Sequence, residues 1–592
     1  MSVELFYKEK IGVYGEYCRA VQKKINLIAI GRMLFFLGAA GCGIGYFQQH
    51  YTIYLTLGLI SLVSFFVVLW IHVQLRNKLL LYRKLLFVNQ NEWDICQGIP
   101  NQFSDGHSFL SPNGWLDDLD IFGPGSLFHF LNRTATQPGC NRLAGCFIGP
   151  SPDPDRIKQY QDAIRVLGKQ RDQAQMITAQ SLKAEKKVAG LDNLPDWLQT
   201  TPTLLSRSWV RIGRWLLPIY TLAALLYWLL TPNYWPLIAG VSANWIFIYP
   251  FRKYIRTQHV LIGDKEPQLD QYVSILSAFQ SIDPGGSALL GDLKLMAENA
   301  IREIRRLSRL SSAFDQGTNN LVNLLMNSLI AYDIQCMLSL EKWKQANGNA
   351  CLKWISCVGE IESLNSLATF GFNHPDACYP VFANGDLIVE ATAIAHPLIP
   401  EKERISNDFI IGKDCRIQLI TGSNMSGKTT FLRTIGVNLL LAQCGSPVIA
   451  SKFCFQPLTI LCSLRTRDSL QEHSSYFLAE LKKLQQIIQT LEKGGPAIVL
   501  IDEILKGTNS EDKTKGSGQF LLKLLEYRCL ALFATHDLTL SRLEEEFPGR
   551  ITNYCFESQI KEGELIFDYT LKKGVAKNRN ATFLMQKMGI IP

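Results

Sequence analysis

The residues best suited to chemistry lie in the last third of the chain. Gly422-Ser423-Asn424-Met425-Ser426-Gly427-Lys428-Thr429 fits the pattern G-x-x-x-x-G-K-[ST]. Such a loop curls its backbone N–H groups around phosphates, and the positive end of the helix that follows adds to the attraction. Lys428 is expected to reach the β and γ phosphates, and Thr429 to offer its hydroxyl to Mg2+. Further along, the apolar run Ile498-Val499-Leu500-Ile501 ends in Asp502-Glu503. A buried strand ending in two carboxylates suits a second task at the same site. Asp502 fits the water shell of Mg2+, and Glu503 fits the base or positioner of an attacking water. Another apolar run over 530–534 ends in Thr535-His536, which puts His536 where a γ-phosphate is sensed. Together these residues point to the binding and hydrolysis of ATP with Mg2+.

The motif needs a strand before it and a helix after it. Residues 416–421 read as that strand and 430–441 as that helix. More widely, residues 378–592 alternate short apolar runs with helical patterns, the mark of an α/β domain. Residues 257–377 read as helix-rich. Within them, Leu321, Leu324, Leu325, Leu329 and Ile330 define one helical face over 314–344. Residues 74–205 read as a further segment, with loop-like punctuation near 99–125 and helical periodicity over 153–190.

Hydrophobic residues make up 47% of the 592 and charged residues 19%. The apolar excess is local. Residues 27–47 hold one charge, Arg32, and residues 53–73 hold none. Each stretch of about 21 residues covers roughly 30 Å as a helix, enough to cross a bilayer. With the polar turn 48–52 they read as a transmembrane hairpin, in which Gly41 and Gly45 are expected to let the helices approach closely. Residues 212–230 and 235–251 read as a second hairpin, carrying Arg214 and Pro218 and a belt of Trp215, Trp228 and Trp235. The formal charge of +8 is accounted for by Lys and Arg flanking these stretches, among them Lys23, Lys24, Arg76, Lys78, Arg207, Arg211, Arg252 and Lys253. Positive flanks with uncharged turns place the N-terminus, the middle segment and the C-terminal part in the cytoplasm. The 15 cysteines form no Cys-x-x-Cys pair, which argues against a zinc site and a disulfide framework.

Thr421-Gly422-Ser423-Asn424-Met425-Ser426-Gly427-Lys428-Thr429-Thr430 resembles the P-loop of the MutS mismatch-repair family, whose Asn-Met pair separates it from generic P-loops. Gly445-Ser446-Pro447-Val448-Ile449-Ala450, Asp502-Glu503-Ile504-Leu505-Lys506-Gly507-Thr508, Ala534-Thr535-His536 and Ala395-His396-Pro397 are similar to further family motifs in the same order. A weaker resemblance covers Asp118-Leu119-Asp120-Ile121-Phe122-Gly123 and Leu131-Asn132-Arg133-Thr134, similar to the start of the family's helical core.

The resemblance implies an α/β P-loop (ABC-like) ATPase domain over 378–592. Before it come a lead-in at 1–26, hairpin 27–73, a core-like segment 74–205, hairpin 206–256 and an all-α core or lever domain 257–377. It implies that residues 422–430 hold the nucleotide and that the ATPase domains pair as a homodimer. In that pair Ser475, within 468–480, reaches the partner's γ-phosphate in trans, although His473 replaces the family's usual glycine. It also implies a DNA partner, without classical mismatch reading, because the family's N-terminal mismatch-recognition domain and its Phe-x-Glu wedge have no counterpart here. The helical basic run Arg302, Arg305, Arg306 and Arg309 is a candidate DNA surface, with a plain solvated face as the alternative. Arg404 stands where the family has an adenine-stacking aromatic. A membrane switch or scaffold that does not touch DNA is the competing expectation. An ABC-type transporter is disfavoured, since no L-S-G-G-Q signature precedes Asp502.

Overall fold

The computed structural model describes residues 2–110, 114–182, 194–316, 320–383, 385, 387–412, 415–423, 425–465, 476–505, 509–561, 564–577 and 590–591. The chain opens with an antiparallel pair of long helices, α1 (Val3–Gln49) and α2 (Thr52–Cys96). Ser2 caps α1 by accepting from the Leu5 N–H at 3.3 Å, and His50 ends it in the left-handed region at φ 52°. Both helices run on without a break where the apolar stretches begin and end. Their most apolar windows are entirely unburied, whereas Tyr7 of α1 and Leu85, Val88 and Glu92 of α2 sit inside the body of the protein. Ser61 Oγ donates to the Phe35 carbonyl at 2.7 Å, which draws the pair together. A Cβ on Gly38 would lie 3.0 Å from Ser61 Oγ, and one on Gly45 3.2 Å from the Tyr54 ring. Gly41 has open space around it. The close approach expected at Gly41 and Gly45 is therefore made by Gly38 and Gly45.

A second apolar pair follows, α3 (Ser208–Leu230), with Pro218 inside it, and α4 (Trp235–Ile248). Among the described residues three helices are long and apolar enough to cross a membrane, by length and composition: α1, α2 and α3. The return limb α4 has 14 residues and is not among them.

The helical body is organised by α5 (Ala288–Gln316), α6 (Asn320–Ile330) and α7 (Tyr332–Asn373). The single face expected over 314–344 is divided, because Ala331 adopts φ 48° between α6 and α7. Leu321, Leu324 and Leu325 are exposed rather than part of a core. α7 is the spine of the body. It buries Trp343, stacked on Trp197, and carries Ile361, Leu364 and Leu367 into the main core.

The C-terminal part holds two sheets. The smaller has the order β1-β5-β2-β3, formed by β1 (Val381–Phe382), β2 (Val389–Ile394), β3 (Asn407–Ile411) and β5 (Lys452–Phe455). The larger has six strands in the order β10-β9-β4-β8-β7-β6. They are β4 (Ile417–Gly422), β6 (Thr459–Ser463), β7 (Ala497–Asp502), β8 (Cys529–Thr535), β9 (Ile551–Lys561) and β10 (Glu564–Lys573). All its pairings are parallel except β9 with β10. Parallel strands covered on both faces read as near-continuous apolar runs, which is why 497–501 and 529–534 lack polar alternation. Their side chains still alternate between two cores. Ile498 and Leu500 face α8 (Lys428–Gln443) and the helical body, while Val499 and Ile501 face α9 (Tyr476–Glu492) and α10 (Ser510–Leu524). One core thus runs unbroken from Leu119 and Phe147 through α7 and α8 to the sheet.

Candidate nucleotide site

β4 delivers the chain to the loop and α8 takes it away, so the loop lies at the C-terminal edge of the parallel strands. Gly427 precedes α8 at φ 101°, a conformation L side chains rarely adopt, and a Cβ there would meet the Tyr569 ring at 3.0 Å. Met425 also has positive φ (68°) and is exposed. Lys428 is buried, and its ammonium donates to the carbonyls of Gly422 at 2.8 Å and Ser423 at 2.9 Å. The hydroxyl oxygens of Ser423 and Ser426 are buried without a hydrogen-bond partner among the described residues. Buried polar atoms are normally satisfied, so a loop with two unmatched hydroxyls and a buried ammonium fits an anionic ligand with many acceptor oxygens.

The carboxylates arrive from β7, two strands away. Thr429 Oγ1 donates to Asp502 Oδ2, which joins the start of α8 to the end of β7. Asp502 and Thr429 are hard oxygen donors of the kind Mg2+ takes together with phosphate oxygens and water. Glu503 is held at φ 42° by its N–H, which donates to the Ala534 carbonyl of β8 at 3.0 Å. Its carboxylate meets His536 Nδ1 at 2.8 Å, and Lys513 Nζ lies 3.5 Å from Nε2 of the same ring. A proton on Nδ1 makes His536 a donor to Glu503 and leaves Nε2 to accept from Lys513. The next turn is pinned where the buried Glu480 of α9 accepts from the Leu505 N–H at 2.9 Å.

A cavity of about 650 Å³ is lined by the loop, Asp502 and Glu503 at one end and by His396, Ile399, Ile405, Phe431 and Tyr569 beyond it. The sequence reading missed this second end apart from His396. Tyr569 comes from β10, close to the end of the chain, and Asn407 of β3 fixes its backbone by donating to its carbonyl at 3.1 Å. Burial, and then the nearby Arg433, push the His396 imidazole down to about 4, so it is neutral at neutral pH. Arg404 turns away and donates to the Ile399 carbonyl at 3.0 and 2.9 Å. Gly422, Ser423, Met425, Ser426, Gly427, Lys428, Thr429, Thr430, Asp502, Glu503 and His536 are thus brought together. Asn424, Ser475 and Lys506-Gly507-Thr508 lie outside the described residues.

An acidic junction behind the site was not legible as such. Asp118 accepts from Lys483 Nζ at 2.6 Å and from the N–H groups of Leu464 and Arg465, each at 3.1 Å. Burial pushes the Asp118 carboxyl up, against the pull of these partners. Asp120 pairs with Arg433 of α8 at 2.9 Å and with Arg465 at 2.5 Å. One short segment of the helical body therefore grips the helix of the phosphate loop, the chain at Leu464-Arg465 and Lys483 of α9.

Residues 418–591 match the family model for MutS domain V. A DNA mismatch repair protein MutS of Thermotoga petrophila is 30% identical over 238 residues, 39% of this chain and 29% of the relative. Its counterpart in Clostridium botulinum is 28% identical over 258 residues, 42% of this chain and 27% of the relative. The match thus spans less than a third of the length of these relatives. The likeness to the MutS family lies in the C-terminal domain, over residues 418–591.

Proposed function

We propose that this chain is a membrane-anchored, MutS-like ATPase that binds and hydrolyses ATP to switch a DNA-binding homodimer, without classical mismatch reading. The observation that carries the reading is the convergence of the phosphate loop, the Thr429–Asp502 contact and Glu503, itself paired with His536, on one cavity. In this reading Lys428 and the loop N–H groups hold the phosphates. Thr429 and Asp502 hold Mg2+, which when bound neutralises charge on the phosphate oxygens. Glu503 orients a water and accepts its proton, and His536 fixes the carboxylate and faces the γ-phosphate. Ser475 of a partner copy completes the site in trans. The chain sits in the cell (cytoplasmic) membrane through α1, α2 and the second hairpin, with the ATPase domain in the cytoplasm. Support for the anchor comes from the unburied apolar windows of α1 and α2.

The DNA role draws on the names of the relatives and on Arg302, Arg305, Arg306 and Arg309, all exposed on α5. A switch without DNA is favoured by a different observation. Tyr7 and Glu92, on the helices that continue the first hairpin, both bond Asn373 at the end of α7, so the hairpin is tied to the chain just before the ATPase sheets. The test is ATPase turnover of the full chain in nanodiscs with perfect, mismatched and branched DNA at low and raised salt, with Lys428→Ala as the blank. Salt-sensitive change by DNA supports the first reading. An active enzyme blind to every DNA overturns it in favour of the second.

A further inference from the structure

The surface of α6 is out of place on a soluble body. Residues 316–332 contain no Asp, Glu, Lys or Arg. Leu321, Leu324 and Leu325 are 69%, 58% and 54% exposed. The C-terminal end of the helix, by contrast, carries polar groups bonded inward. Asn327 is fully buried and donates to Asp333 Oδ2 at 2.9 Å. Ser328 accepts from Asn244 Nδ2 through its carbonyl at 2.8 Å and from Trp245 Nε1 through its hydroxyl at 3.1 Å. Asn244, itself fully buried on α4, also donates to Thr221 Oγ1 of α3 at 3.1 Å. The three helices form one unit with its polar groups turned in. On α3, Ile219, Leu222 and Leu226 are exposed as well.

We propose that α6 is a membrane-inserted helix that dips with α3 and α4 into the bilayer and presents Leu321, Leu324 and Leu325 to lipid acyl chains. The inference rests on the reading of α3 as a span. Apolar residues outward and polar residues paired inward is the arrangement a lipid solvent demands. Eleven residues rise roughly 16 Å, about half of the hydrocarbon layer, so α6 enters without crossing. That agrees with its connections, since α5 before it and α7 after it both belong to the helical body. The break at Ala331 is also met from within. Ala331 is fully buried, its N–H donates to the Asn327 carbonyl at 3.2 Å, and the Asp333 N–H donates to Asn327 Oδ1 at 2.9 Å. Irregular backbone at membrane depth is tolerated when protein buries it. The start of the spine α7 is then seated at the membrane, while its far end reaches the ATPase sheets.

The test places a fluorescent amino acid, acridonylalanine, singly at Leu324, at Leu226 on α3 or at Leu295, which is exposed on α5. Each full chain is reconstituted in phosphatidylethanolamine–phosphatidylglycerol vesicles with doxyl-labelled lipid as quencher. Quenching at 226 and 324 several-fold above that at 295 is the expected result. Quenching at 226 with 324 no higher than 295 overturns the proposal and leaves α3 as a span. Energy transfer between labelled chains at 324 would then assign the leucines to a second copy. No quenching at either position overturns the proposal together with the span.

Discussion

Glu503 joins the proposed chemistry to a strained backbone, so one substitution separates the two. Its φ of 42° lies in the left-handed region, which costs a non-glycine residue about 1–2 kcal/mol. Glycine removes that cost and returns about 0.5–1 kcal/mol in unfolded-chain entropy. Glu503→Gly is therefore expected to raise stability by up to about 1.5 kcal/mol. The same change deletes the carboxylate that faces His536, and loss of a general base lowers turnover by roughly 10²–10⁴-fold. That is about 3–5 kcal/mol in the barrier. Glu503→Gln keeps the strain and the side-chain volume, and should show the same loss of turnover without a gain in stability. Single-turnover ATP hydrolysis, binding of a fluorescent nucleotide and thermal melting would be measured on both variants beside the parent. Turnover of either variant within tenfold of the parent would refute the role of the carboxylate. A Glu503→Gly chain that melts lower than the parent would refute the backbone argument alone.

Three further outcomes follow from the buried charges. Burial works to raise the Glu92 carboxyl, and Arg133, paired with it through two nitrogens, more than offsets this and holds it below the usual range. Its contribution is thus present above the unfolded carboxylate value and lost as the pH falls below it. Arg133→Met alone should cost about 3–5 kcal/mol in denaturant unfolding, and Glu92→Leu added to it should recover most of the loss; no recovery counts against the unpaired buried carboxylate as the cause of the loss. Asp118→Ala should speed amide hydrogen exchange at Leu464 and Arg465 by at least roughly tenfold, since each N–H loses its acceptor; unchanged protection would show that the junction is dispensable. Burial lowers both His374 and His396 to about 4. The unfolded chain then binds more protons than the folded one between about pH 6.5 and 4, so stability falls as the pH drops through that window. Each histidine contributes at most about 3 kcal/mol across it, less where solvent screens. Melting followed from pH 6.5 to 5 should fall less steeply in a His374→Gln/His396→Gln chain; equal slopes would remove the histidines from the account.

The parts of the site carried by local pattern were legible without coordinates. The apolar runs before Gly422, Asp502 and Thr535 became β4, β7 and β8, because a parallel strand buried on both faces leaves a continuous apolar signature. Their order in the sheet brings Asp502 to Thr429 and Glu503 to His536, two contacts that the motifs do not specify. The acidic junction was not legible. Asp118 and Asp120 meet Lys483, Arg465 and Arg433 across more than three hundred residues of chain, and no periodicity records such a pairing. Tyr569 was missed for the same reason, since its place in the cavity depends on the antiparallel return of β10 beside β9.

α6 shows where pattern stops. Its leucine spacing specifies a helix, but the break at Ala331 confines that helix to Asn320–Ile330 and divides the expected face. Spacing is a property of one segment, and what covers that face is a property of its neighbours. The sequence by itself determined the loop, the carboxylates, the apolar helices and the strands that carry the site, because each depends on residues within a turn or two. Only the tertiary structure decided which leucines stay uncovered, that Gly38 and not Gly41 makes the helix contact, and that one buried aspartate ties the helical body to Leu464, Arg465 and Lys483. Those outcomes rest on distances between segments far apart in the chain, which are fixed only when the cores close.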